Sequence, residues 1–152
     1  MKDSCCDTRC PISASLGLLV LRVVVGLSLA MHGWGKFHDP EMHSQFFEGV
    51  KHMGMPFEKA PTFFAWAATA AELVGGILLA VGLLSRVAAF FIMCTMATAV
   101  FKVHWGQGYQ AMEPAAVYAA VAVAFLLGGP GRISVDAMLF GKKKEIEPPE
   151  EH

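Results

Sequence analysis

The sequence predicts an all-α protein: a bundle of four transmembrane helices with a short interfacial helix in the first outer loop. Three observations carry this. The 152-residue chain is 55% hydrophobic and only 16% charged, with a mean hydropathy of +0.48. Its apolar residues gather in four runs, 12–31, 60–84, 87–101 and 114–129. None of the four carries the polar face that a surface helix of a soluble bundle presents to water.

Crossing a bilayer core takes about 20 helical residues. The first two runs meet that length. The third and fourth reach it once their flanks are counted, from Arg86 to His104 and from Ala111 onward. The first run is a permanent span rather than a cleaved signal. Lys2 and Arg9 are offset by Asp3 and Asp7, so the leader has no net positive charge, and Arg22 falls where a signal's apolar core would be. An even number of spans puts both termini on one side. That side carries Lys2, Arg9, Arg86, Arg132, Lys142, Lys143 and Lys144, against Lys36, Lys51, Lys59 and Lys102 on the other. The lysine and arginine excess predicts that both termini are cytoplasmic.

The chain divides into a Cys-containing leader at 1–11, a membrane domain at 12–140 and a charged, proline-containing tail at 141–152. The first span ends around "HGWGKF", where glycines are expected to loosen the last turn. In the loop at 38–60, "EMHSQFFEGVKHM" predicts a short surface helix with Met42, Phe46, Phe47 and Val50 on one side. Pro61 and Pro114 are each expected in the first turn of a span. Residues 133–140 are an apolar piece of open conformation.

Two charges fall inside spans. Arg22 and Glu72 each lie about ten residues into their helices by count, where an unpaired charge costs roughly 2.5–3.5 kcal/mol on insertion scales. Small residues recur around them every four positions: Arg22, Gly26, Ala30 in one span and Ala68, Glu72, Gly76, Ala80 in the other. Such stripes let two helices approach closely. The pattern predicts an Arg22–Glu72 pair, serving as a buried strut and, through Glu72, as a proton or ligand site.

The first and third spans finish on the same outer face with "MHGWGKF" and "FKVHWGQ", each bringing a lysine, a histidine and a tryptophan. His32 and His104 carry imidazoles, groups that can give or accept a proton. With Lys36 they are candidate proton donors, while Lys102, Trp66 and Trp105 are candidate binding groups beside Arg22. Phe63 and Phe64 add to an apolar slot. His38 and His43, with the methionines of the outer loop, form a soft donor set that suits copper. The leader cysteines Cys5, Cys6 and Cys10 are weaker metal candidates, because "CCDTRC" matches no C-x-x-C zinc spacing. Cys94 reads as a small buried hydrophobe.

Taken together over residues 14–140, these features resemble the DoxX family of small four-helix membrane proteins. The resemblance rests on Arg22 and Gly26, then on His32, Gly33 and Lys36. It continues in "AELVGGILLAVGL", the turn residue Arg86 and the "HW" at 104–105. It implies membrane redox chemistry: the family name is similar to that of a subunit of a thiosulfate:quinone oxidoreductase, and other members are linked to quinone, catechol or thiol stress. The function this implies is a component of a quinone- or phenol-linked redox system. His32, Lys36, Glu72 and His104 would handle protons, and quinone would be the bound group. Copper binding or transport, and a membrane anchor for a soluble oxidoreductase, are the alternatives. Expected partners are the bilayer, an oxidoreductase and a second copy of the chain. A net charge of −1 excludes a basic nucleic-acid-binding surface.

Overall fold

The computed structural model describes residues 12–140. The leader and the tail, with Cys5, Cys6 and Cys10, lie outside the described residues. Six helices follow in order: α1 (Ile12–His38), α2 (Pro40–Lys51), α3 (Pro61–Val81), α4 (Ser85–Thr98), α5 (Tyr109–Gly128) and the short α6 (Val135–Phe140). A 3-10 turn at Phe57–Lys59 precedes α3, and α4 runs on into a π turn at Ala99–Val103. No strand occurs among the described residues. Counted with its π turn, α4 is one of four helices long and apolar enough to cross a membrane, the others being α1, α3 and α5.

The four long helices pack in the order α1, α3, α4, α5 around Leu29, Leu79, Ile92 and Phe125, all fully buried. Elsewhere large apolar side chains face outward, among them Val20, Val24, Phe63, Val87 and Leu127. Lipid is the solvent that makes such a surface stable.

The closest helix contact is between α1 and α3, and small residues make it possible. A Cβ on Gly26 would meet the carbonyl oxygen of Gly76 at 2.5 Å. One on Gly76 would meet the carbonyl of Gly26 at 2.6 Å and the nitrogen of Ala30 at 2.7 Å. The stripes seen in the sequence are therefore the interface. Gly33 belongs to it as well, since a Cβ there would overlap the backbone of Leu73. The glycines of "HGWGKF" do not loosen α1, which stays helical to His38. They admit its neighbours, and Gly35 lies against the sulfur of Met42.

Two helix starts differ in kind. Pro61 sits in the first turn of α3, as expected. Pro114 lies inside α5, which begins five residues earlier at Tyr109. The polar stretch "YQAME" thus extends the fourth span rather than leading to it. Asp39 caps α2, its carboxylate accepting from the amides of Glu41 and Met42 at 2.9 and 3.3 Å. Residues 133–140, left open by the sequence, supply α6.

Candidate functional site: a buried ion pair beneath an aromatic cavity

The antiparallel register of α1 and α3 decides where the membrane charges meet. Gly26 lies against Gly76 and Ala80, and Gly33 against Leu73. This places Lys36 beside Glu72, and both carboxylate oxygens lie 2.7 Å from the Lys36 ammonium. The Glu72 side chain is 5% exposed and that of Lys36 19%. An ion pair this secluded is held because removing either member strands a charge in an apolar medium.

The same register separates Arg22 from Glu72, so the expected Arg22–Glu72 pair does not form. Arg22 lies level with Gly82, beyond the last turn of α3: a Cβ on Gly82 would meet its guanidinium at 2.5 Å. Its Nη1 donates to the Pro130 carbonyl at 3.1 Å. Counting residues from the start of each run put both charges at mid-depth. In the structure α1 overhangs α3, with Leu18 already beside Gly131, so Arg22 belongs to one end of the bundle.

Helix α2 completes the site. Instead of merely lying on the surface, it packs on both α1 and α3 and buries Val50. The ring of Phe46 stands 4.1 Å from the Lys36 ammonium, a cation–π contact that supplies attraction where water is scarce. The His43 ring contacts the Lys36 carbonyl through Nδ1 at 3.1 Å, which requires a proton on that nitrogen. His43 also stacks on Phe47 at 4.1 Å.

Beside the ion pair is a cavity of about 300 Å³ between α2, α3 and α4. Four phenyl rings line it, each from a different segment: Phe46 from α2, Phe57 from the 3-10 turn, Phe64 from α3 and Phe91 from α4. Phe57 and Phe64 meet edge to face at 4.8 Å. Lys36, Glu72, Cys94, Thr95 and Thr98 are its polar lining. Cys94 is exposed at this cavity rather than buried as a core residue, which corrects its reading from sequence. The π turn contributes Ala99 and Val103. Its wider coil, closed by the His104 amide on the Ala99 carbonyl at 3.0 Å, is the kind of helix irregularity that often accompanies a site.

Of the residues singled out from sequence, the structure brings together Lys36 and Glu72. His32 faces α5, with Nδ1 2.7 Å from the Ser28 carbonyl and its ring edge-on to Tyr118. His104 contacts Gln107 at 3.5 Å, and Trp105 is exposed beside Phe101. Lys102 is exposed as well. Trp66 packs with Phe37, His43 and Phe47 outside the cavity. His38 stacks on Trp34 at 5.4 Å. Among the described residues no three His, Cys, Asp or Glu side chains gather as a metal site. Sequence reasoning missed Phe46, Phe57, Phe91 and Cys94 as lining groups. For Phe46 the signal existed, in its spacing with Val50 on one face of α2.

An all-helical bundle with four helices long and apolar enough to cross a membrane, and a buried ion pair at the wall of an aromatic cavity, defines a class: a multi-pass membrane protein. The DoxX family model matches residues 17–105, which span α1 through the π turn and include every residue of the cavity. The chain belongs to the DoxX family. It is 34% identical over 91 residues to a Bacillus subtilis protein named "Putative oxidoreductase CatD". That match covers 60% of this chain and 62% of CatD, so the chain spans about three-fifths of that relative's length. It is also 32% identical over 132 residues to an uncharacterized protein of Haemophilus influenzae, covering 82% of this chain and 92% of the other. No solved structure matches.

Proposed function

We propose that the protein is the quinone- or phenol-binding component of a bacterial inner-membrane redox system, with the ring seated in the cavity beside Lys36 and Glu72. The observation that carries this is the pairing of four phenyl walls with a single buried ammonium–carboxylate pair. Its volume falls at the lower end of the range for small-molecule sites, roughly 300–1,000 Å³, which suits one substituted ring. Edge and face contacts from Phe46, Phe57, Phe64 and Phe91 favour a planar guest. The name of the Bacillus relative, an oxidoreductase, supports the same reading.

Reducing a quinone to its hydroquinone takes two electrons and two protons. In this reading the electrons come from a partner oxidoreductase. The Lys36 ammonium donates a hydrogen bond to one ring oxygen and passes its proton there, and is re-protonated through Glu72 from the aqueous side. The second ring oxygen takes its proton from water at the open side of the cavity. The pair is neutral as a whole, so it binds an uncharged ring without adding net charge to the apolar site. Phe46 over the ammonium and the buried Val50 in the same cavity wall limit hydration of the pair.

The test is to purify the protein in mild detergent and extract it with organic solvent. A quinone or phenol in near-stoichiometric amount is expected. In membranes carrying the partner, Glu72→Gln should lower quinone-dependent turnover by about a hundredfold or more, the usual contribution of a positioned proton donor. Unchanged turnover in a folded Glu72→Gln protein would overturn the proton role.

A further inference from the structure

The opposite end of the bundle carries a second cavity of about 430 Å³, between the N-terminal end of α4, the loop after α5 and α6. Its lining includes Arg86, Arg132, the backbone of 128–131, Ser134 and Asp136. The Arg86 guanidinium stands over Gly129, 3.8 Å from where a Cβ would be. Gly129 and Gly131 both have positive φ, 75° and 84°, which folds the loop back on itself and leaves room for the guanidinium.

Among the described residues the charge at this cavity does not balance. Asp136 is the carboxylate among the lining residues, and it is already engaged. One oxygen accepts from the Leu84 amide at 2.7 Å and the other from the Ser85 amide at 2.9 Å. The buried Arg22 reaches the same loop from below through the Pro130 carbonyl, and its Nε has no partner within the described residues. Three guanidinium groups therefore converge on one loop that offers a single, occupied carboxylate. Arg86 and Arg132 both remain exposed at the surface.

Exposed apolar residues adjoin the cavity lining along the chain. Val87, Leu127, Ile133 and Met138, next in sequence to lining residues, are all exposed, Met138 at 83% and Leu127 at 74%. Charge above and hydrocarbon beside is the profile of a phospholipid. Guanidinium groups bind phosphate oxygens in pairs, with a geometry that an ammonium lacks. We infer that this cavity binds the phosphate of an anionic phospholipid headgroup through Arg86 and Arg132, with the acyl chains lying along the apolar flank. This site is separate from the cavity beside Glu72 and does not depend on the redox reading.

The experiment is native mass spectrometry of the full chain after delipidation and titration with phosphatidylglycerol, phosphatidylcholine or inorganic phosphate. Phosphatidylglycerol should be retained over phosphatidylcholine. The preference should fall about fivefold for each arginine removed, in Arg132→Gln and in Arg86→Gln/Arg132→Gln. A circular dichroism spectrum confirms that each variant is folded, and Arg86→Lys/Arg132→Lys should keep part of the preference. Equal retention of the two lipids, an undiminished preference in the double variant, or displacement of phosphatidylglycerol by inorganic phosphate alone would each overturn the assignment.

Discussion

Helix α1 carries two basic residues on the same face, one toward each end of the bundle, and the bundle treats them differently. Arg22 and Lys36 are fourteen residues apart, about 21 Å along the helix, and both face α3. At one end Lys36 meets a full carboxylate at 2.7 Å beside an aromatic cavity. At the other, Arg22 meets a carbonyl at 3.1 Å, with Asp136 acting on it at longer range. A charge pair beside a cavity can exchange a proton with a guest. A guanidinium among backbone carbonyls and a capped helix start cannot, and it serves to tie α1, α3 and the loop after α5 together. Position on a stripe therefore says little about role until the facing groups are known.

The largest expected effect breaks the comparison at its Lys36 end. Glu72→Ala should destabilise the protein by about 3–5 kcal/mol, because it strands the ammonium. Arg22→Met should cost about 1.5–3 kcal/mol, the range for a hydrogen bond to a charged group. Unfolding in mixed micelles compares the two directly, and a larger loss for Arg22 would reverse the assignment of roles.

The register that separates the two ends rests on Gly76. Gly76→Val places a branched side chain against the Gly26 carbonyl and should cost about 1–3 kcal/mol. It should weaken the Lys36–Glu72 contact as well, visible as reduced guest retention in the same preparation.

Asp136 sharpens the comparison through pH. Burial raises its affinity for a proton, but the amides of Ser85 and Leu84 and the charge of Arg22 outweigh that and hold its pKa below the ordinary 3.8. A depressed carboxylate stabilises the fold above the unfolded-state value. That stability is lost as pH falls from about 3.8 through the lower folded value. The Leu84 backbone, at φ 48°, depends on this cap. Asp136→Asn should cost about 0.5–2 kcal/mol, as for other helix caps, and should flatten the acid limb of a thermal melting series. The smallest effect is at Phe46, where Phe46→Leu keeps the apolar wall but removes a cation–π contact worth about 0.5–1 kcal/mol, again read by unfolding.

Much of this fold was legible because hydropathy and small-residue spacing report on local and pairwise physics. The four spans, the short helix of the first loop and the small-residue stripes of α1 and α3 all follow from it. What escaped was longitudinal offset. Nothing in the apolar run from 12 to 31 shows that its first ten residues overhang α3, and so counting from the start of each run pairs Glu72 with Arg22. Lys36 itself stood out, but at the rim with His32 and His104. The histidines were grouped by depth, whereas side-chain direction around each helix decides contact, and His32 turns toward Tyr118. The phenyl walls were the least legible part, since Phe57 and Phe91 come from segments whose approach depends on the whole bundle.

The most direct test of the central claim is a binding isotherm for a short-chain benzoquinone with the purified protein, compared with Glu72→Gln and Arg22→Lys. Saturable one-to-one binding that weakens about tenfold or more in Glu72→Gln, as expected for a lost charge-assisted contact of roughly 1.4 kcal/mol or more, and that persists in Arg22→Lys, is the predicted result. Equal affinity in the wild type and a folded Glu72→Gln, or loss confined to Arg22→Lys, would contradict it.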